Sequence, residues 1–135
     1  MAVDLICKKE VKTPEAESAE QTAAQPDEKD DPVIVCRNCN SIVTKPRFQV
    51  EIDNRFSHTF ANPHGIVFEI GCFSKADGCV KASDTTDEFS WFNGYVWAIV
   101  LCRNCRCQLG WIFIPARSGQ GASFFGLILD QLVFP

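Results

Sequence analysis

The stretch EFSWFNGYVWAIVLCRNCRCQLGWIF, residues 88–113, holds all three tryptophans of the chain and one Cys-x-x-Cys pair. Residues 95–101 and 109–114 are runs of β-branched and aromatic side chains of strand length, which is typical of β-strands. Cys102-Arg-Asn-Cys105 therefore lies at the bend of a predicted antiparallel hairpin. Such a bend suits a metal-binding turn, so the rest of the chain is interpreted around this hairpin.

The hairpin also predicts where the three tryptophans lie. If it folds symmetrically, Trp97 stands opposite Trp111, and Phe113 points to the same face. Trp91 precedes an Asn-Gly turn, so all three indoles converge only if residues 89–94 form a bent loop. The alternative is that the tryptophans are ordinary core residues. Their clustering around a metal-binding turn favours a site.

Composition limits the class of protein. The 135 residues are 46% hydrophobic and 22% charged, which fits one small domain. Residues 1–31 carry nine acidic and four basic side chains, whereas residues 32–135 carry eight and nine. A nearly neutral domain without Lys/Arg clusters argues against nucleic acid as a partner. The sequence also predicts no membrane segment.

The amino-terminal residues predict a tail. The apolar run in residues 1–10 is interrupted by Asp4 and is shorter than a signal-peptide core, so we expect a cytoplasmic protein. Residues 11–31 lack aromatic side chains and are rich in Glu, Ala, Gln, Pro and Asp. We therefore predict a disordered acidic tail over residues 1–31, either a tether or an extension without function, followed by a domain over residues 32–135.

The domain is predicted to be mostly β. Strands are expected at 32–35, at 47–52, where apolar and polar residues alternate, and at 66–73, which is nearly all apolar. Residues 74–88 are polar and indicate loops. One short helix is predicted over residues 121–132 from a helical apolar stripe, with a strand as the alternative.

The cysteines predict a metal site. Cys36-x-x-Cys39 and Cys102-x-x-Cys105 supply four thiolates, the complement of a closed structural zinc site, and 62 residues separate the two pairs. Both pairs enclose Arg-Asn, a turn in which backbone amides can point at sulfur and the cation can offset thiolate charge. The alternatives are a redox pair, although each pair has a twin, and a catalytic zinc, although four thiolates leave no open position.

The remaining cysteines and histidines receive structural interpretations. Cys72 is predicted to pack inside a strand, and Cys107 lies close enough to the second pair to replace a ligand by slippage. Cys7 belongs to the predicted tail. His58 and His64 are expected to be solvated loop residues and not metal ligands, because four thiolates already complete a tetrahedron.

Several motifs together resemble the CULT domain family, the thalidomide-binding domain of cereblon. They are the two distant Cys-x-x-Cys pairs, the turn Asn62-Pro63-His64-Gly65, the run FSWFNGYVW at residues 89–97, and Leu109-Gly-Trp111. The resemblance covers about residues 33–132. It implies a β-tent, which is a pair of antiparallel sheets held together by zinc, and a tryptophan pocket for the cyclic imide of glutarimide-type ligands.

Each pocket role is carried over by the resemblance onto a matching position. It implies pocket walls from the tryptophans, a floor from Phe113, a rim, and backbone contacts to the imide around two loop residues. The corresponding residues are Trp91, Trp97 and Trp111 for the walls, Asn62, Pro63 and Phe68 for the rim, and Phe89 and Ser90 for the backbone contacts. Phe89 replaces the histidine of the mammalian pattern, as in single-domain bacterial members. Asn62 has the alternative role of stabilising its turn, and Phe68 and Phe113 that of plain core residues.

The resemblance also separates this chain from cereblon as a whole. A Lon-like domain and a segment for docking to a ubiquitin ligase are not recognised in the sequence, so a ligase-adaptor role is not implied. We expect a ligand-binding module and not an enzyme. A methionine-R-sulfoxide reductase, the enzyme alternative, needs an activated cysteine, but none follows Cys107 and none adjoins a histidine. A second alternative is a cage for quaternary or methylated ammonium, aided by Asp87 and Glu88.

Overall fold

The structure is a computed structural model that describes residues 31–119 and 121–135. The predicted tail lies outside the described residues, except for Asp31. The described part contains nine β-strands and two short 3₁₀ turns, at Pro46–Phe48 and Leu129–Gln131, and none of its helices is long and apolar enough to cross a membrane. The strands are β1 Ile34–Cys36, β2 Ile42–Thr44, β3 Ser57–Ala61, β4 Val67–Phe73, β5 Cys79–Lys81, β6 Tyr95–Cys102, β7 Gln108–Pro115, β8 Phe124–Ile128 and β9 Leu132–Val133.

The strands form two antiparallel sheets. The smaller sheet has the order β2-β1-β9, and the larger has the order β3-β4-β8-β7-β6-β5. The mostly β prediction with two antiparallel sheets is therefore confirmed. The two Cys-x-x-Cys turns connect β1 to β2 in the small sheet and β6 to β7 in the large sheet.

The central hairpin forms, but its register differs from the symmetric prediction. Trp97 stands opposite Phe113, and Ile99 stands opposite Trp111. The register shifts between Val100 and Leu101, and Arg106 adopts a left-handed φ of 70° before β7 begins. The bulge and this irregular turn displace the pairing by two residues. An even displacement keeps the face, so Trp97 and Trp111 still point to the same side of the sheet.

The helix predicted over residues 121–132 is wrong, and the strand given as its alternative is what forms. The same residues form β8, a 3₁₀ turn and β9, and β8 is an inner strand between β4 and β7. The reason is packing across the sheet: a Cβ added at Gly126 would lie 2.8 Å from Ile70 Cδ1 and 2.9 Å from Phe113 Cε2. Pairing on both edges of β8 outweighs the local helical pattern, since helix propensity is a weak preference.

The strand predicted at residues 47–52 is also wrong. Pro46–Phe48 forms a 3₁₀ turn, and only single bridges follow, from Gln49 to Phe73 and from Ile52 to Arg55. Proline at the start of this segment fixes φ near the helical value and favours a turn there. The strand predicted at residues 66–73 is confirmed as β4.

Buried side chains form two clusters on opposite faces of β6. Trp97 and Ile99 belong to one cluster, which we call the aromatic cluster, whereas Val100 and Cys102 belong to the other, which we call the knuckle cluster. The buried members of the aromatic cluster are Phe68, Ile70, Cys72, Phe92, Trp97, Ile99, Trp111, Phe113, Phe124 and Ile128. The knuckle cluster includes Ile34, Cys36 and Val43 from the small sheet, so it joins the two sheets.

Candidate metal centre and aromatic site

The four predicted cysteines meet at one point. Their sulfur atoms all lie within 4.8 Å of one another, with 3.7 Å between Sγ of Cys36 and Cys105 and 3.6 Å between Sγ of Cys39 and Cys102. Zn–S bonds of about 2.3 Å in a tetrahedron place sulfurs about 3.8 Å apart. The donor set and its spacing therefore fit a tetrahedral metal ion bound by four thiolates.

The sulfurs accept hydrogen bonds that suit thiolates. The Cys105 backbone N–H points at Cys102 Sγ at 3.5 Å, and Ser41 Oγ lies 3.1 Å from Cys39 Sγ and 3.4 Å from Cys102 Sγ. Burial acts to raise the pKa of Cys39, but hydrogen bonds from Asn104 and Ser41 outweigh it and lower that pKa to about 6. Burial raises the pKa of Cys36. A bound cation would offset the cost of charge at the buried Cys36 sulfur.

The arginines of the two turns have structural partners. Arg37 Nε donates to the Asp130 carbonyl at 2.8 Å, and Arg103 Nε donates to the Asp77 carbonyl at 3.1 Å. These hydrogen bonds tie each turn to a neighbouring segment. The expected offset of thiolate charge by the two cations stays a prediction.

The other described cysteines lie apart from this cluster. Cys72 is fully buried in β4, as predicted, and burial raises its pKa to about 12. Cys79 stands opposite Cys102 in the sheet, and burial likewise raises its pKa to about 12. The fourth ligand position is taken by Cys105 and not by Cys107. High pKa values argue against Cys72 and Cys79 as thiolate nucleophiles.

Two of the three tryptophans meet edge to face and form a corner. The ring centroids of Trp91 and Trp111 are 4.8 Å apart with an interplanar angle of 74°. Phe68 contacts both rings, at 6.2 Å from Trp91 and 5.3 Å from Trp111. Residues 89–94 form the bent loop that this convergence requires, with φ values of 57° at Phe89 and 89° at Gly94.

Trp97 lies on the same cluster and anchors the loop. It stands opposite Phe113 and bridges to Thr86, and its Nε1 donates to the Glu88 carbonyl at 2.8 Å. Trp97 is 6% exposed, while Trp111 and Phe113 have no exposed surface. Trp91 is half-buried. A ligand therefore reaches the face of Trp111 only if a covering ring moves, and Trp91 is the least buried of the three.

Asn62 builds the turn that faces this loop. Its Oδ1 accepts hydrogen bonds from the backbone N–H groups of His64 and Ile66, both at 2.9 Å, and the residue is buried. The structural role given above as an alternative is thus observed. Pro63 is exposed on the same turn. Trp91 Nε1 donates to the Ala61 carbonyl at 3.3 Å, which links the loop to β3.

The backbone of the Phe89 loop retains open hydrogen-bonding groups. Within the described part of the chain, no hydrogen bond occupies the N–H or carbonyl of Phe89 or the N–H of Trp91. Ser90 Oγ donates to the Phe92 carbonyl at 3.1 Å, so its hydroxyl serves the loop itself. Phe89 is 65% exposed. A surface cavity of about 460 Å³ beside the loop includes Phe89 and Ser90 among its lining residues but none of the tryptophans.

Sequence reasoning missed a group of aromatic residues behind the corner. Phe60 stacks on Trp91 with centroids 4.9 Å apart and an interplanar angle of 13°. Phe92 contacts Phe60, Phe113 and Phe124 at 5.3, 4.9 and 5.0 Å. The alternation of residues 57–61 is a signal that His58 and Phe60 share one face of a strand, but it does not show what that face packs against.

The prediction of a solvated His58 is wrong. It is 8% exposed on β3, its ring lies 5.7 Å from Phe60 and 5.2 Å from Phe92, and its Nε2 lies 3.1 Å from the Arg55 carbonyl. Its position on the strand turns it toward the aromatic cluster. His64 is exposed, as expected, and neither histidine belongs to the metal-binding cluster of the described residues.

Comparison with known proteins shows which proteins the chain is similar to. No family model matches the chain. Protein cereblon of Gallus gallus is 30% identical over 104 residues, which are 74% of this chain and 23% of the relative, and that of Xenopus tropicalis is 32% identical over 103 residues, 73% of this chain and 23% of the relative. The matched part of the chain is a cereblon-like domain of the CULT type.

The cereblon-like domain accounts for only part of these relatives. Protein cereblon of Danio rerio is 39% identical over 75 residues, which are 55% of this chain and 17% of the relative. The chain thus spans less than a quarter of the length of the curated relatives it matches. The similarity supports the fold and the four-cysteine cluster of the cereblon-like domain.

Proposed function

We propose that the cereblon-like domain is a small-molecule-binding module whose tryptophan corner takes a neutral cyclic imide, and that its four cysteines bind a structural zinc ion. The observation that carries the proposal is that the N–H and carbonyl of Phe89 and the N–H of Trp91, beside the corner, have no hydrogen bond within the described residues. Resemblance to the CULT family, in which this pocket takes glutarimide-type rings, supports the same assignment.

These groups match the edge of an imide. A cyclic imide presents carbonyl, N–H and carbonyl in sequence, and it needs a donor, an acceptor and a donor in return. Phe89 N–H, Phe89 carbonyl and Trp91 N–H supply that order without any charged side chain. The left-handed φ of 57° at Phe89 is a strained conformation for a residue other than glycine. Such strain is often retained where it exposes backbone groups for binding.

The rings supply the apolar part of the recognition. Trp91 and Trp111 meet edge to face at 74°, and Trp97 and Phe113 stand opposite each other on the same cluster. A small flat ring that contacts indole faces buries most of its surface. Because Trp111 has no exposed surface, we propose that Trp91 leaves its stacked position on Phe60 to admit the ligand. We expect Phe68 and Pro63 to border that path, since Phe68 contacts both indole rings.

Zinc would act at a distance from the ligand. The thiolate set fits zinc in charge, count and spacing, and four protein ligands leave no position for a substrate. We therefore assign the ion a purely structural task, which is to hold the β1–β2 turn against the β6–β7 turn. We also propose that the module is not an enzyme, since the described cysteines outside the cluster are buried and Cys72 and Cys79 have raised pKa values.

The test is a titration followed by intrinsic tryptophan fluorescence. We expect glutarimide to bind at roughly 1–10 µM, about −7 to −8 kcal/mol, because a ligand of so few atoms gains little more. N-methylglutarimide should not bind, because the methyl group removes the donor and leaves the Phe89 carbonyl without a partner. If tetramethylammonium quenches the fluorescence at lower concentration than glutarimide, the site is an ammonium cage and the imide proposal is wrong.

A further inference from the structure

Trp111 carries a buried hydrogen-bond donor without an acceptor among the described residues. The side chain has no exposed surface, and its indole Nε1 has no hydrogen-bond partner within residues 31–119 and 121–135. The other two indoles differ, since Trp97 Nε1 donates to the Glu88 carbonyl at 2.8 Å and Trp91 Nε1 donates to the Ala61 carbonyl at 3.3 Å. A buried donor that lacks an acceptor costs folding free energy, so its retention calls for an explanation.

The ring that carries this donor is the inner wall of the corner. The ring centroid of Trp111 lies 4.8 Å from that of Trp91 and 5.3 Å from that of Phe68. Trp111 lies on β7 opposite Ile99. Of the rings that touch it, Trp91 is half-buried and sits on the loop with positive φ values at Phe89 and Gly94. Movement of Trp91 would thus uncover the indole ring that carries the unpaired donor.

We propose that Trp111 Nε1 is a ligand-contacting donor of the site and makes it selective for rings that bear a carbonyl acceptor. This inference rests on the proposed function and adds a fourth polar contact to it. A ligand carbonyl that accepts a hydrogen bond from Trp111 Nε1 gives the unpaired donor an acceptor. Binding then removes the free-energy cost of a buried, unpaired donor, and this contributes to the binding free energy. A quaternary ammonium has no acceptor and leaves the donor unpaired.

One competing partner lies on the same strand. Gln108 is fully buried, and its Oε1 also has no hydrogen-bond partner in the part of the chain that the structure describes. Gln108 stands opposite Leu101 and Trp111 opposite Ile99, and both Leu101 and Ile99 pack in the aromatic cluster. A water molecule that joins Gln108 Oε1 to Trp111 Nε1 would satisfy both atoms without a ligand. The experiment must therefore separate a ligand acceptor from such a bridge.

The experiment uses the full chain labelled with ¹⁵N and records the three indole N–H resonances, assigned with the Trp91→Phe, Trp97→Phe and Trp111→Phe variants. On addition of glutarimide, the Trp111 indole proton should move downfield by more than that of Trp97, whose donor keeps Glu88. Trp111→Phe should weaken glutarimide binding about tenfold, equal to about 1.4 kcal/mol, as measured by calorimetry. The same variant should weaken tetramethylammonium binding by less.

Gln108→Leu is the matched control, since it removes the competing acceptor and keeps the indole. In this variant we expect the free-state Trp111 resonance to stay in place and glutarimide affinity to stay within about twofold. A large shift of that resonance without ligand would show a water bridge and overturn the inference. Unchanged glutarimide affinity in a folded Trp111→Phe, or a Trp111 indole that does not respond to bound glutarimide, would overturn it while the imide proposal stands.

A further ligand, δ-valerolactam, tests whether the donor assignment can hold when the imide proposal fails. δ-Valerolactam has one carbonyl and lacks the second carbonyl of an imide. If glutarimide does not bind but the lactam binds and shifts the Trp111 indole proton, the imide proposal fails and the donor assignment holds. If neither probe binds, both are wrong. Should Trp111→Phe not fold, the indole shift of the wild-type chain decides the question alone.

Discussion

Replacement of one metal ligand tests how far the fold depends on the four-cysteine cluster. In Cys105→Ser the fourth thiolate is lost, so we expect the remaining three to hold zinc much more weakly. Treated as a cross-link between Cys39 and Cys102, which are 63 positions apart, the metal restricts the unfolded chain by about 4 kcal/mol. A domain of this size has a total stability of about 5–15 kcal/mol, so this loss is a large fraction.

The assay combines metal content by mass spectrometry with thermal unfolding by circular dichroism. A loss of about 4 kcal/mol corresponds to a fall in Tm of about 15–30 °C for a domain near 100 residues. Cys79→Ala is the matched control, because Cys79 pairs with Cys102 in the sheet but lies outside the cluster; it should keep one zinc and lose less stability. A Cys105→Ser protein that lacks metal and melts at the wild-type temperature would refute the reasoning.

Four further predictions concern other parts of the molecule. Gly126→Ala should cost about 1–3 kcal/mol in a denaturant titration, because the new Cβ would lie under 3 Å from Ile70 and Phe113; wild-type stability would contradict the packing argument. Trp97→Phe removes the 2.8 Å bond to the Glu88 carbonyl and should weaken glutarimide binding by about fivefold with zinc retained, as calorimetry and metal analysis can check. The hydrogen bond from Lys45 is the largest cause that lowers the pKa of Asp31 in the folded protein. Asp31 should therefore stabilise the fold above pH 4 and cease to do so as the pH falls through this lowered pKa. The difference in Tm between the wild type and Asp31→Asn should vanish in acid and shrink in high salt. Deletion of residues 1–30 should leave Tm and glutarimide affinity unchanged, and a drop of several degrees would show contacts that composition does not predict.

The parts of the fold that could be predicted are those fixed by short-range chemistry. Two Cys-x-x-Cys turns of identical spacing identify their own partners, because four thiolates satisfy one tetrahedral ion, and the sulfurs do meet. The β6–β7 hairpin follows from an uninterrupted run of strand-forming residues on each side of such a turn. The face shared by Trp97 and Trp111 could be predicted as well, since an even register shift does not change it.

The parts that could not be predicted depend on distant packing. Residues 124–128 carry a helical apolar stripe, but β4 and β7 present open edges that β8 fills, and no local pattern reveals those edges. The same holds for Phe60, since only the fold places β3 beside the loop that carries Trp91. The edge-to-face contact between Trp91 and Trp111 could not be predicted from the sequence either. The resemblance implies that both rings are walls of a pocket, but it does not imply that they contact each other.

The four-cysteine cluster and the proposed ligand site lie at different positions along one hairpin. Cys102 and Trp97 are five positions apart along β6, which corresponds to about 17 Å at the usual rise of a strand. The cysteine belongs to the knuckle cluster and the tryptophan to the aromatic cluster on the opposite face. At that distance an ion exerts no direct influence on a neutral ligand. It can act on binding only through the register of β6 and β7, which sets Trp97 opposite Phe113 and Trp111 opposite Ile99. Metal removal should therefore reduce ligand binding in proportion to the fraction of the chain that unfolds. A folded, metal-free chain that still binds glutarimide would show that packing alone maintains this register.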